Sequence, residues 1–156
     1  MRPKLNPKNE QEQANRWSNF EWAYLAIIFI IFIDQVSKYL ALGRMQVVCN
    51  RGAALGIGGN VTFLSVIVLI WILWQIKEER SRLITLALSF ILAGGFSNLL
   101  DRLTIDCVRD FIHFSFWQSQ TRFLPSFNLA DSAITLGVIL ILYKTFTAKV
   151  EKLGSF

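Results

Sequence analysis

Four apolar stretches separated by polar segments dominate the chain. They cover 22–42, 61–76, 83–100 and 126–147. Each approaches the roughly 20 residues that a helix needs to cross a hydrocarbon core of about 30 Å. The pattern therefore predicts an all-α polytopic membrane protein, with four transmembrane helices at about these positions in a single integral membrane domain over 1–156.

The polar segments differ in length and character. Residues 77–82 make a short charged connection, which predicts a tight hairpin between the second and third helices. The connections at about 43–60 and 101–125 are longer and of mixed composition, which is typical of loops that carry function. We therefore expect functional residues in these two loops, which we name the outer loops, and a separate tail at 1–20.

A period-two alternation in the second outer loop predicts a short strand. Three apolar residues alternate with three others there: Ile112, Phe114 and Phe116 with His113, Ser115 and Trp117. Such alternation suits a strand whose apolar face lies on the membrane surface. The predicted fold thus includes a small extracytoplasmic β-rich element, with a loop or short helix at the outer interface.

Lysine and arginine positions predict the orientation. Ten of them lie in the N-terminal tail, the 77–82 connection and the C-terminal tail, whereas five lie in the two outer loops. Cytoplasmic segments carry the excess of basic residues, so both termini are predicted to be cytoplasmic. The formal net charge of +5 follows from this topology, and no nucleic-acid partner is expected.

Composition agrees with a membrane protein and limits the chemistry. The chain is 53% hydrophobic and only 17% charged, which is too apolar for a soluble domain of this length. Two cysteines and one histidine leave too few ligands for a zinc or haem site, so we expect no metal and no cofactor. Cys49 and Cys107 both fall in the outer loops, and the sequence leaves open whether they pair.

Two aspartates fall within predicted spans. Asp34 lies past the middle of the first and Asp131 near the start of the fourth, at a similar depth near the outer face. An ionisable residue in a span is costly and suggests a functional site. Lys38 follows Asp34 by four residues, so the two share a helix face and can pair, with Lys38 extending to the outer interface. A structural pair and a functional role both remain open.

The third helix ends in polar residues that share one face, Asn98, Asp101 and Arg102. Asp101 and Arg102 fit either a structural ion pair or a catalytic role. Small residues at 93–95 and 97 permit close approach of a neighbouring helix. The first outer loop holds four of the nine glycines within 50–59, which suits sharp turns or close approach to a ligand, although a plain flexible loop fits equally.

The start of the fourth helix combines a helix-capping residue with an aspartate. Asn128 is placed to cap the helix, and Asp131 follows three residues later, which predicts a variant of the capping box. A second aspartate nearby would allow one proton to be shared, as acid–base proteolysis requires. Spacing alone leaves Asp101, Asp106 and Asp110 open as the partner.

Five blocks occur in order over about residues 30–140: DQVSK at 34–38, NRGAA at 50–54, GGFSNLLDR at 94–102, VRDFI at 108–112 and FNLADSAI at 127–134. Together they resemble the bacterial lipoprotein signal peptidases (signal peptidase II). The first four resemble that family's DQxSK, NxGAA, GN-L-hydrophobic-DR and V-x-DF blocks, and FNLADSAI is similar to its most specific run. Two residues depart from them, since Ser97 stands where the family commonly has glycine and Leu55 where it commonly has phenylalanine.

The resemblance implies an aspartic endopeptidase that removes signal peptides from diacylglyceryl-modified prolipoproteins by cleaving before the lipidated cysteine. It implies a bacterial cytoplasmic (inner) membrane location, a site near the outer face, lipids as partners, and inhibition by globomycin-like cyclic peptides. The residue roles it implies are catalytic for Asp110 and Asp131, substrate-binding or supporting for Asn50, Gly52, Asn98, Arg102 and Asn128, and structural for Asp34, Lys38 and Asp101.

Two alternative functions are also compatible with the sequence. A small ion-coupled transporter or channel subunit would relay protons through Asp34, Lys38 and Asp131, although no internal repeat is detectable. A catalytically inactive relative that only binds lipidated signal peptides is less favoured, because both Asp110 and Asp131 are present.

Overall fold

The structure is a computed structural model that describes residues 7–52, 61–79, 81–113 and 126–153, with side chains from Glu21 onward except that of Lys152. These residues form four α-helices and two short β-strands. The helices are α1 (Pro7–Ala41), α2 (Val61–Glu78), α3 (Arg82–Ile105) and α4 (Leu129–Leu153), and the strands are β1 (Val48–Asn50) and β2 (Val108–Asp110).

Each of the four described helices contains a segment long and apolar enough to cross a membrane: Glu21–Ala41, Val61–Glu78, Arg82–Ile105 and Leu129–Glu151. The protein is therefore a multi-pass membrane protein, as the hydropathy pattern predicts. The helices do not end where the apolar stretches end. α1 begins already at Pro7 and α3 continues to Ile105, because helix formation continues through polar residues that hydropathy does not mark.

α3 is the central helix of the bundle, and α1, α2 and α4 all pack against it. Of the residues in its membrane-spanning stretch, 56% are buried, compared with 11–17% of those in the corresponding stretches of the other three helices. The outward faces of those three helices expose large apolar side chains, such as Phe29, Trp71 and Phe146. Such faces suit contact with lipid.

Two kinds of packing hold the helices on α3. Leucine and isoleucine side chains form an apolar cluster between α2 and α3: Leu69, Ile72, Ile76, Leu88, Leu92 and Leu99. Against α4 the approach is closer, because a Cβ atom on Gly94 would collide with the carbonyl oxygen of Ala130. A Cβ atom on Gly137 would lie 2.6 Å from the carbonyl oxygen of Ala87. The expected close approach at the small residues of α3 is confirmed.

β1 and β2 form a two-stranded antiparallel sheet at the end of the bundle where α3 ends and α4 begins, which we name the site end. Val48 pairs with Asp110 and Asn50 with Val108. The predicted β-rich element is therefore present, but its strands precede the alternation at 112–117. Ile112 makes an isolated bridge to Phe127, whereas residues 114–117 lie outside the described residues. The predicted loop or short helix at the outer interface falls mostly on residues 53–60 and 114–125, which also lie outside the described residues.

A disulfide links β1 to the residue that directly precedes β2. Cys49 of β1 is bonded to Cys107, the residue before β2, with a Cα–Cα distance of 5.4 Å. Cys49 is exposed and Cys107 is buried. The question that the sequence left open is answered, because these two cysteines pair.

Candidate active site

Asp110 and Asp131 lie near each other at the site end. Asp110 ends β2 and is fully buried, whereas Asp131 lies in the first turn of α4 and is half-buried. Burial raises the pKa of the Asp110 carboxyl above its ordinary value, and the negative charge of Asp131 raises it further. Hydrogen bonds from Asn50 and Asn128 and the charge of Lys38 act in the opposite direction but do not cancel this rise in pKa.

Asparagine amides hold both carboxylates. Asn128 Nδ2 donates to Asp110 Oδ1 at 2.9 Å, and Asn50 Nδ2 donates to Asp110 Oδ2 at 3.1 Å. Asn98 Nδ2 donates to Asp131 Oδ1 at 2.8 Å. Three neutral donors, from the first outer loop, α3 and the start of α4, thus orient the two acids without neutralising either one.

Asn50 is itself held by the backbone of Gly52. The Gly52 N–H donates to Asn50 Oδ1 at 2.9 Å, so that the Nδ2 group of Asn50 faces Asp110. Gly52 has a φ of +70°, a left-handed conformation that glycine adopts without steric cost. The glycine therefore sets the direction of the asparagine amide.

The start of α4 forms the predicted capping box. Asn128 Oδ1 accepts from the Asp131 N–H at 2.9 Å, and Asp131 Oδ2 accepts from the Asn128 N–H at 3.2 Å. These reciprocal bonds satisfy backbone donors at the helix N-terminus. Asn128 therefore has two roles, since its oxygen caps the helix while its nitrogen bonds Asp110.

Lys38 is the centre of a buried charged layer behind the two acids. Its Nζ lies 2.7 Å from Asp34 Oδ2 and 3.3 Å from Asp101 Oδ2, and it donates to Asn98 Oδ1 at 2.8 Å. The predicted Asp34–Lys38 pair is confirmed. The predicted extension of Lys38 to the interface is wrong, because the side chain is 0% exposed. Three acceptors inside the bundle match the three donors of the ammonium group.

Lys38 also fixes the orientation of Asn98. Because the Asn98 oxygen accepts from Lys38, the Nδ2 group of the same amide faces Asp131. Asn98 Oδ1 accepts a second bond from Asn128 Nδ2 at 3.1 Å. The buried cation thus reaches Asp131 indirectly, through the amide of Asn98.

Asp34 connects α1 to two other helices. Its Oδ1 accepts from the Ala130 N–H at 2.8 Å, and its Oδ2 accepts from Ser97 Oγ at 2.7 Å. Ser97, which stands where the resembled family commonly has glycine, therefore adds a hydrogen bond from α3. Gln35 Nε2 donates to Ser97 Oγ at 2.9 Å and to Asp101 Oδ1 at 3.1 Å.

Asp101 pairs with Lys38 and Arg109. Arg109 Nη2 lies 2.6 Å from Asp101 Oδ1. The alternative in which Asp101 pairs with Arg102 is wrong, because adjacent residues of a helix do not face each other. Within the described part of the chain, Arg102 Nε is buried without a hydrogen-bond partner.

The structure thus brings together most of the residues singled out in the sequence. Around the two acids lie Asn50, Gly52, Asn98 and Asn128, and behind them lie Asp34, Lys38 and Asp101. Arg102 makes no hydrogen bond to either acid among the described residues. Asp106, which spacing left open as a partner of Asp131, is exposed at the end of α3 with a φ of +60°.

Sequence reasoning did not assign a role to Gln35 or Arg109. Each directly follows or precedes a residue that was assigned, Asp34 and Asp110 respectively. Their partners lie on other elements, so spacing gave no signal. Gln35 is a fixed position of the resembled DQxSK block, whereas Arg109 is marked only by its place before Asp110. Among the residues that the structure describes, no group of three or more histidine, cysteine, aspartate or glutamate side chains is arranged to hold a metal ion.

The fold and the site define a class: a polytopic membrane protein with two neighbouring aspartates, one buried and one half-buried, at one end of its helices. Comparison with known proteins identifies the family. Residues 26–147 match the family model described as "Signal peptidase (SPase) II". The chain belongs to this family, and it is therefore a membrane protease. The transporter alternative finds no support.

Individual relatives agree with this assignment. A lipoprotein signal peptidase of Acinetobacter baylyi is 33% identical over 86% of this chain and 87% of its own. One of Polynucleobacter necessarius is 36% identical over 77% of this chain and 86% of its own. A bacterial membrane enzyme solved by the in meso method at 2.3 Å resolution has a TM-score of 0.71 and 26% identity, covering 85% of this chain and 92% of that one.

Proposed function

We propose that the protein is an aspartic endopeptidase that removes signal peptides from diacylglyceryl-modified prolipoproteins, cleaving before the lipidated cysteine, and that Asp110 and Asp131 are its catalytic residues. The observation that carries this proposal is the buried Asp110 carboxyl beside Asp131. Among the described residues neither has a salt bridge, and both are held by neutral amides.

This arrangement favours a single proton shared by the two acids. Two close carboxylates without a paired cation cannot both ionise cheaply, so one remains protonated. The ionised carboxylate withdraws a proton from water as general base, while the protonated one polarises the scissile carbonyl. The two roles exchange when the amine leaves. Asn50, Gly52, Asn98 and Asn128 support this geometry, and we assign Arg102 to the lining of the site.

The substrate class follows from the relatives named lipoprotein signal peptidase and from the depth of the site. Both acids lie at the end of the membrane-spanning segments, Asp131 within the first turn of α4. A lipid-anchored peptide keeps its acyl chains in the bilayer and presents its scissile bond at this depth. From the family resemblance we also propose that globomycin-like cyclic peptides inhibit the enzyme.

We also propose that the site end faces outward from the bacterial inner membrane, with both termini in the cytoplasm. The basic residues favour this orientation. The Cys49–Cys107 disulfide at the same end supports it independently, because disulfides persist in oxidising compartments.

The experiment measures cleavage of a purified lipidated precursor by enzyme in detergent or nanodiscs. Asp110→Asn and Asp131→Asn should each lower turnover by about 1,000-fold or more, because the amide retains the size of the side chain but not the transferable proton. Asp106→Asn is the matched control, since Asp106 is exposed and asparagine tolerates its left-handed backbone. It should retain normal turnover. Near-normal turnover by either active-site variant would show that the pair is wrongly assigned.

A further inference from the structure

Arg109 connects β2 to two helices. Its Nη2 bonds Asp101 Oδ1 at 2.6 Å and Gln35 Oε1 at 2.9 Å, and its Nε bonds Asp101 Oδ2 at 3.2 Å. The side chain is only 17% exposed. One guanidinium group thus ties the strand that carries Asp110 to α3 and α1.

The backbone of Arg109 is held as well. Its N–H donates to Asp101 Oδ2 at 3.0 Å, and its carbonyl oxygen accepts from Asn128 Nδ2 at 3.3 Å. The same Asn128 Nδ2 bonds the Asp110 carboxylate. The residue directly before Asp110 is therefore anchored through its side chain and through both of its backbone polar groups.

Only a guanidinium makes this set of contacts. Its planar fork bonds both oxygens of Asp101 and still reaches Gln35, whereas an ammonium group is a compact point charge on a flexible chain. Arg109 also completes a charge balance, because the buried acids Asp34 and Asp101 face Lys38 and Arg109. The Asp110–Asp131 pair stands outside this balanced set of four.

We propose that Arg109 is a positioning residue for Asp110. By gripping Asp101 and Gln35, it fixes β2 so that the Asp110 carboxyl stays beside Asp131. This role rests on the proposed catalytic function of Asp110. The residue before the aspartate is open in the V-x-DF pattern that the sequence resembles, so the role comes from the contacts of this chain.

The experiment compares kcat and KM for Arg109→Met and Arg109→Lys with those of the wild-type enzyme, per folded molecule in detergent or nanodiscs. Arg44→Met is the matched control, because Arg44 is an exposed arginine in the same outer loop as β1. Arg109→Met should lower kcat by about 30-fold and leave KM within about threefold, since a displacement of 1 Å in the catalytic group costs up to about 100-fold in rate. Arg109→Lys should lie between Arg109→Met and wild type, and Arg44→Met should match wild type.

The split between kcat and KM separates positioning from a structural role. A variant that only folded less well would lose active molecules but keep the kcat of those that remain. Wild-type kcat in folded Arg109→Met, or an effect on KM alone, would overturn the proposal. If Arg109→Met does not accumulate, Arg109→Lys carries the test, because it keeps the charge beside Asp101 but loses the fork. A wild-type kcat for Arg109→Lys would then overturn the proposal.

Asp110→Asn is measured in the same assay. If it is inactive while folded Arg109→Met keeps wild-type kcat, the positioning role alone is wrong. An active Asp110→Asn variant overturns the proposed function and the positioning role together.

Discussion

Between α2 and α3 the bundle is packed by leucine and isoleucine, whereas at the site end the same α3 helix faces buried aspartates, a lysine and asparagines. Leu92 belongs to the first region. Asn98 and Asp101, less than three turns further along the helix, belong to the second. The two regions therefore differ in side-chain chemistry while sharing a backbone.

The difference between them follows from the membrane as a solvent. Lipid is as apolar as leucine, so burying leucine between helices gains packing but little hydrophobic free energy. A buried charge, in contrast, is expensive unless every donor and acceptor has a partner. Substitutions that change side-chain shape in the apolar region should therefore lower the free energy of unfolding only modestly. The site end, in contrast, depends on a connected set of hydrogen bonds.

The largest effect is expected at Lys38. Lys38→Met should lower the free energy of unfolding by about 3–5 kcal/mol, because Asp34 and Asp101 lose their shared cation. Thermal unfolding in detergent and the amount of folded protein in membranes measure this loss. Lys144→Met, at an exposed lysine of α4, is the control and should change stability by less than about 0.5 kcal/mol. Equal effects for the two variants would show that Lys38 does not stabilise the buried Asp34 and Asp101.

A smaller effect is expected in the apolar cluster. Leu92→Ala should lower the free energy of unfolding by about 2 kcal/mol, near the low end of the range for such cavities, because the lost contacts are dispersive and lipid solvates leucine well. Cleavage per folded molecule should be unchanged. A marked fall in kcat for the folded variant would mean that the apolar region also sets the geometry of the site.

The smallest effect concerns pH. Because the pKa of Asp110 is raised in the folded protein, folding favours its protonated form. This contribution to stability is fully present below the ordinary aspartate pKa of about 3.9 and is lost as pH rises through the raised value. Asparagine does not titrate, so the melting temperature of Asp110→Asn relative to wild type should increase as pH rises from about 4 toward neutrality.

The apolar cluster supplies the comparison for this experiment. The melting temperature of Leu92→Ala relative to wild type should stay constant over the same pH range, because no titrating group is changed. If the melting temperature of Asp110→Asn relative to wild type also stayed constant, or fell as pH rose, the raised pKa of Asp110 would be contradicted.

Local patterns in the sequence were enough to predict part of this structure. Hydropathy predicted the four helices, a spacing of four predicted the Asp34–Lys38 pair, and a spacing of three predicted the capping box at Asn128. Each depends on interactions within a single helix or at its end, which a periodic pattern records.

The contacts between elements could not be predicted from such patterns. The burial of Lys38 depends on Asp101, which follows it by more than sixty positions. The Asn50–Asp110 bond depends on the pairing of two three-residue strands, which are too short to produce a clear period. The resemblance to known blocks pointed to Asp110 and Asn50 and includes Gln35, but such blocks do not show that Arg109 of another element bonds Gln35.

The Cys49–Cys107 bond turns the chain between the two cysteines into a covalent ring. Their sequence separation is 58, and the ring contains all of α2 and α3. A single cut within the ring, for example at Ser81 between the two helices, would open it without separating the pieces. The cut protein would stay one molecule on a gel without reductant and divide into two fragments with it. The pair of helices α2 and α3 is thus closed by a disulfide at the end opposite their short connection, independently of how the two helices pack.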